Sequence, residues 1–134
     1  MNRGTLKIES SHTDEIRVSL TLSDDRTVWM TVEEIVHTFG VLAASVQRGI
    51  RNILASGELR DNEVRQEQSR TLPDGRLCIA EYYNLDMIVA LCFSLKSYPC
   101  MIFRRWICKK VVQSMKVRSS VPLILQIKTD RVSN

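Results

Sequence analysis

The stretch VWMTVEEIVHTFGVLAASVQRGIRNILASGEL, residues 28–59, decides the fold because it contains two helix patterns separated by a glycine. Thr31 followed three residues later by Glu34 is the capping-box pattern that begins a helix. Gly40 lies where that helix must end, since glycine adopts the left-handed conformation at low cost. A second helix is predicted over 42–56. The stretch therefore predicts two helices joined by a tight turn.

The second helix is predicted to bury one side and expose the other. Apolar residues at i, i+4, i+7 and i+8 form the buried stripe: Val46, Ile50, Ile53 and Leu54. Polar residues fall largely elsewhere, and no acidic residue occurs between Gly40 and Gly57. Gly49 costs about 1 kcal/mol in a helix interior, so we expect it to allow a close approach, either to DNA or to another helix.

Segments on both sides of this motif predict strands and further helices. Apolar and polar residues alternate before it, which predicts a β-hairpin with these residues on one face: Ile16, Val18, Leu20 and Leu22. After it, LPDG at 72–75 predicts a turn between two strands that pair as a ribbon, with Leu77 and Ile79 alternating. Two more helices follow, one capped by Asn84 and one beginning just after Pro99.

The fold class predicted from this order is α+β. Specifically, we predict a winged helix-turn-helix-like domain with an N-terminal β-hairpin and two further C-terminal helices. With 134 residues and 44% apolar content, the chain has enough material for one core. We expect a single domain over 1–118 and a tail over 119–134. The apolar part of that tail could add a strand, dock on the core, or begin a truncated region.

The charge distribution is uneven although the net charge is only +4. Residues 1–86 contain 10 basic and 14 acidic residues, whereas residues 87–129 contain 8 basic residues and no acidic one. Asp130 and Arg131 cancel. A basic block at helical spacing predicts either a phosphate-facing surface or a solvated helix face.

Other chemistries are poorly supported by the residues present. The four cysteines form no closely spaced pair and the two histidines lie far from them, so neither a metal nor a cofactor is predicted. Without a glycine-rich phosphate loop or a serine elbow, we predict no enzyme and no catalytic residue. Lacking a leader or a membrane-length apolar run, the chain is expected to be cytoplasmic. We expect three reduced cysteines to pack in helices: Cys92, Cys100 and Cys108.

As a DNA reader, the second helix would present its first turns to base edges. Ala44 is short enough to allow approach, and Ser45 could bind a phosphate. Gln47, Arg48 and Arg51 are donors suited to base edges. Basic residues elsewhere are candidates for backbone phosphates: Arg65, Arg70 and Arg76 in the ribbon, and Arg104, Arg105, Lys109 and Lys110 in the last helix.

The segment EYYNLDMIVALCFSLKS, followed by FRRWICKKV, resembles the RhuM family of bacterial virulence-associated proteins. In that family a Tyr-Asn-Leu-Asp stretch precedes a helix and a Phe-Arg-x-Trp helix closes the domain. The closing motif is also similar to phage antirepressor (Bro-N-like) DNA-binding domains. The resemblance covers about 28–113, departs from the family at Pro99 and Cys100, and implies DNA binding without catalysis.

The motif residues also have structural interpretations. Tyr83 and Leu85 are expected to pack and Asn84 and Asp86 to cap, while three residues of the last helix are expected to form core: Phe103, Trp106 and Ile107.

We therefore expect a DNA-binding transcriptional regulator that uses the helix 42–56 in the major groove of double-stranded DNA. By analogy it would act as a homodimer, with Leu125 and Ile127 as candidate interface residues. The alternative is an antirepressor-like module that binds an acidic protein partner. A plain helical hairpin without a ligand would show the same apolar pattern.

Overall fold

The computed structural model describes residues 2–10 and 15–117, and these form an α+β chain, as the sequence predicts. The predictions for the tail 119–134, with Leu125 and Ile127, lie outside the described residues. The elements follow in chain order: β1 (Thr5–Ser10), β2 (Ile16–Thr21), α1 (Val32–Phe39), α2 (Ala43–Ala55), α3 (Asp61–Val64), β3 (Arg65–Thr71), β4 (Leu77–Tyr83), α4 (Leu85–Ser94) and α5 (Tyr98–Val117).

The predicted N-terminal hairpin is present, with β1 and β2 antiparallel from Thr5 opposite Thr21 to Ser10 opposite Ile16. Its alternation works as expected for the half-buried Val18 and Leu20, which pack against the core. Leu22 is exposed, contrary to the prediction, because β2 ends at Thr21 and the chain turns before Leu22 can reach the core face.

The two predicted motif helices form within one residue of the predicted bounds. Thr31 and Glu34 make the complete capping box, and Gly40 ends α1 in the left-handed conformation at φ 62°. Arg3 donates to the Glu34 carboxylate at 2.6 Å, so the segment before β1 is held to the start of α1. On α2 the predicted stripe faces inward, with Leu54 half-buried and three residues fully buried: Val46, Ile50 and Ile53.

Gly49 brings α2 against α4. A Cβ atom at this position would lie 2.8 Å from Cδ2 of Leu91, which is itself buried. The close approach that the sequence left open is therefore an approach to another helix. Phe39 and Phe103 then close the core between α1 and α5, with ring centroids 5.6 Å apart. Trp106 stacks on Phe103 at 6.0 Å, so the aromatic pair packs as predicted.

The predicted ribbon is also present, with β3 and β4 antiparallel and Thr71 opposite Leu77 at the turn. Met30 and Tyr83 exchange backbone hydrogen bonds of 2.9 and 2.8 Å, which join the base of the ribbon to the residue before the N-cap of α1. Leu77 and Ile79 alternate onto one face as predicted, but that face is exposed, at 78% and 67%.

α4 begins at its predicted cap, whereas α5 begins earlier than predicted. Asn84 caps α4 by accepting from the Met87 N–H, with Asp86 in the first turn. α5 begins at Tyr98, so Pro99 falls in its first turn, where proline is tolerated.

Cys92 and Cys100 are buried, and burial raises the pKa of the Cys92 thiol to about 12. The prediction for Cys108 is wrong, because α5 continues past the core and every side chain over 108–116 is exposed.

The contact at Gly49 predicts that a larger residue destabilises the protein, although glycine is itself unfavourable in a helix interior. We expect Gly49→Leu to lower the free energy of unfolding by about 1–3 kcal/mol, because the added side chain must displace the buried Leu91. Gln47→Leu, on the exposed side of the same helix, should change it by less than about 0.5 kcal/mol. Urea unfolding followed by circular dichroism measures both. Equal stability of the two variants would contradict the helix contact.

Candidate nucleic-acid interface

One side of α2 presents most of the predicted DNA-binding residues to solvent. Ala44, Gln47, Arg48 and Arg51 are all exposed, and Ser45 is half-buried at the edge of this side. The four exposed residues are spaced i, i+3, i+4 and i+7, which places them on one helix face. The face forms because the apolar stripe on the opposite side of α2 is buried, so the core packing itself orients these donors outward.

A groove of about 570 Å³ runs beside this face, between α2 and the turn that follows α4. We call it the α2 groove. Among the residues that the structure describes, none that lines the groove is acidic, and five have side chains that can donate hydrogen bonds: Ser45, Arg48, Asn52, Ser94 and Lys96. The rest of the lining is Gly40, Val41, Leu42, Gly49 and Leu95. Leu42, which lines the groove, is the N-cap of α2, and its side chain makes no capping hydrogen bond. Because the N-terminus of α2 is at the groove, the positive end of the helix dipole lies there too.

Lys96 links the basic block of the sequence to α2. The sequence left open whether residues 87–129 share a surface with Arg48, and the α2 groove places Lys96 on the same lining as Arg48 and Asn52. Neither Lys96 nor Asn52 was singled out as a binding residue from the sequence. Their signal was present, since Lys96 belongs to the acid-free block and Asn52 to the polar side of α2. Only the contact between α2 and α4 brings them together.

Arg104 has a structural partner that its place in the basic block did not reveal. Its Nη1 atom donates to the backbone oxygens of Cys92 and Leu95 at 2.5 and 3.2 Å, and the residue is half-buried. These carbonyls lie at the end of α4, where a helix leaves backbone acceptors without intrahelical partners. Arg104 therefore holds the end of α4 against α5, and the phosphate contact predicted for it is not the contact that the structure shows.

Arg105 and Lys109 are exposed and line a second groove of about 760 Å³ between α5 and the end of α4. We call it the α5 groove. It shares residues 94–96 with the α2 groove, so the two are continuous. Its surface is mainly apolar, because Phe93, Leu95 and Cys108 contribute to it. Lys110 contacts the Trp106 ring, with Nζ 5.6 Å from its centroid.

The ribbon arginines differ in the number of acidic residues with which they form ion pairs. Arg65 bonds Asp61 at 2.9 Å and Glu67 at 2.7 Å, and these hydrogen bonds, above all that with Asp61, raise the pKa of its guanidinium. The guanidinium of Arg65 therefore lies in an acidic cluster at the base of the ribbon, and the phosphate contact predicted for it stays a prediction. Arg76 pairs with Asp74 at 2.6 Å in an exposed ion pair that contributes little to stability.

Arg70 is exposed on β3 opposite Cys78. Of the ribbon candidates it is therefore the one for which the described residues show no acidic partner. The base of the ribbon carries the acidic cluster of Arg65, whereas Arg70 and Arg76 lie toward its turn.

A family-model scan, a search of curated proteins and a search of solved structures each found no significant match to this chain. The resemblance to the RhuM family therefore stays a prediction.

Among the described residues no cluster of three metal-ligating side chains occurs. In the same residues no single helix has the length and apolar content of a membrane span, although α4 and α5 together reach it across a bend of 119°.

The inward position of Arg104 predicts that two neighbouring arginines behave differently. Arg104→Ala should lower the free energy of unfolding by about 1.5–3 kcal/mol, since two carbonyls lose a charged donor. Arg105→Ala removes the same charge from an exposed position and should stay within about 0.5 kcal/mol of the parent. Thermal and urea unfolding measure the difference. A destabilised Arg105→Ala with an unaffected Arg104→Ala would contradict the assignment.

Proposed function

We propose that this chain is a DNA-binding protein of the winged helix-turn-helix class, acting as a transcriptional regulator, with α2 in the major groove. One observation carries the proposal. The exposed face of α2 holds Gln47, Arg48 and Arg51 and is continuous with a groove whose lining, within residues 2–10 and 15–117, contains Lys96 and no acidic residue. DNA carries a dense negative charge along both strands, so an acid-free surface rich in donors is the complementary one.

The order of elements supports this class. Met30 bridges to β4 just before α1, then a three-residue turn joins α1 to α2, and the β3–β4 ribbon follows. In a winged helix, a short strand before the two motif helices pairs with the ribbon in this way. The pairing joins the ribbon to the segment that precedes α1, the first of the two motif helices.

The residues divide into two roles under this proposal. Gln47, Arg48 and Arg51 contact base edges, where arginine suits guanine and glutamine suits adenine. Ala44 leaves room for the approach of the helix. Ser45, Asn52 and Lys96, which line the α2 groove, contact backbone phosphates and set the position of the helix. Arg70 on the ribbon is a further candidate for a phosphate contact.

The experiment is fluorescence anisotropy with a labelled random-sequence duplex at about 50 and 200 mM salt. The parent should bind with a Kd of about 10⁻⁴–10⁻⁶ M near physiological salt, more tightly at low salt. Arg48→Ala/Arg51→Ala should weaken binding about tenfold or more. Lys96→Ala should weaken it and reduce the salt slope by about 1.

The matched control is Lys7→Ala/Arg17→Ala, which removes two exposed charges from the N-terminal hairpin. It should stay within about twofold of the parent, because that hairpin lies outside the α2 groove. Absence of binding at low salt would contradict the proposed function. Binding that the control and the α2 variant weaken equally would show that net charge, and not α2, determines affinity.

A further inference from the structure

Two apolar surfaces of opposite charge meet at Phe93, whose side chain is 57% exposed near the end of α4. One is the α5 groove, whose exposed charged residues are basic, namely Lys96, Arg105 and Lys109. The other is a groove of about 570 Å³ whose charged residues are Glu58 and Asp86. We call it the acidic groove. Phe93 and Ser94 line both, so the two surfaces are continuous at the end of α4, with Phe93 as the shared aromatic side chain.

The acidic groove has an apolar surface that the core leaves partly exposed. Leu59, Leu85 and Val89 line it, and each is half-buried against the core. Its two acidic residues are both exposed. The groove therefore suits an apolar surface that carries positive charges at its edge.

Such a surface exists on the other side of Phe93. Cys108 lines the α5 groove, and Val112 and Met115 follow it at i+4 and i+7, on the same side of α5. All three are exposed, because residues 108–116 extend about 13 Å beyond the last buried turn. Lys109 and Lys116 accompany them. We call this side of α5 the basic stripe.

We propose that the chain pairs with a second copy of itself about a two-fold axis close to Phe93. The basic stripe of one protomer then covers the acidic groove of its partner, and the reciprocal contact forms at the same time. A two-fold interface requires a surface that is complementary to itself. Adjacent surfaces of opposite charge, joined at one aromatic residue, meet that requirement.

Charge selects this pairing over the alternative arrangement of the same surfaces. Pairing two basic stripes would bring Lys109 of the stripe and Arg105 of the adjoining α5 groove against their own copies. Like charges across an interface oppose association. The crossed arrangement brings these basic residues to Glu58 and Asp86 instead. Phe93 of both protomers would lie at the centre, where buried aromatic residues contribute most to binding. Gln47 and Arg51 lie outside both surfaces, and of the residues proposed to contact DNA only Lys96 lines one of them. The inference is argued from the two surfaces alone and does not rest on the proposed function.

The experiment is sedimentation velocity on the full chain over a concentration series, without DNA. The parent should show a concentration-dependent dimer. Phe93→Ser should raise its dissociation constant by about tenfold or more, with unchanged circular dichroism, since the side chain is largely exposed in one chain. Leu77→Ser is the matched control, because it also shortens an exposed apolar side chain, but on the ribbon. It should leave the dimer unchanged.

Charge reversal gives the sharper test. Arg105→Glu/Lys109→Glu and Glu58→Lys/Asp86→Lys should each weaken the dimer about tenfold or more, because each homodimer then pairs like charges twice. Mixing the two variants should restore it, since both contacts in the mixed dimer join opposite charges. Failure of the mixture to associate more tightly than either variant alone would overturn the proposal. A parent that stays monomeric would also overturn the proposal. The same holds if that monomer binds an acidic amphipathic peptide in the α5 groove.

Discussion

The close approach of α2 to α4 at Gly49 is the contact on which the rest of the structure depends. Any other residue would place a Cβ atom 2.8 Å from the buried Leu91 side chain, so a side chain at this position would have to displace Leu91. Residues 94–96, which follow Leu91 at the end of α4, lie beside α2 and line the α2 groove with it. Lys96 and Arg48 are far apart in sequence, and the fold places them on one surface only because the two helices are in contact.

Two further sets of hydrogen bonds hold the elements that form this surface. The backbone hydrogen bonds between Met30 and Tyr83 join the ribbon to the start of α1. Arg104 bonds the carbonyls of Cys92 and Leu95, which fixes the end of α4 against α5. The turn that carries Lys96 therefore follows a helix end that is held in place. Packing and hydrogen bonds of neighbouring residues hold the backbone that carries the donor side chains of the α2 groove. The backbone of the site is therefore in place before a ligand binds.

Much of the fold follows from local patterns that the sequence states directly. Capping residues and glycines determine helix ends within a few residues, which is why Thr31, Gly40 and Asn84 were informative. The periodicity of apolar residues gives the buried side of α2. It does not give the neighbours of each charged residue. Arg104 and Arg105 look alike in sequence, yet one meets backbone carbonyls and the other meets solvent.

Arg65 shows the same limit. Two of its acidic partners, Asp61 and Glu67, are close to it in sequence, whereas the third, Glu81, comes from the opposite strand, and only the register of the ribbon brings Glu81 to Arg65. Cys108 was misassigned because helical spacing does not show where the core ends. The candidate site was therefore predicted as far as the α2 face extends. Its remaining part, with Asn52 and Lys96, required the three-dimensional arrangement of α2 and α4.

The most direct test of the central claim is a nuclear magnetic resonance titration of the ¹⁵N-labelled chain with a short duplex at low salt. The claim is that α2 and the turn after α4 form one DNA-facing surface. It predicts that the largest amide shift changes occur over 43–52 and 94–96 together, with the N-terminal hairpin unaffected. Changes confined to the hairpin or to residues 108–116, or changes at α2 without any at 94–96, would contradict it.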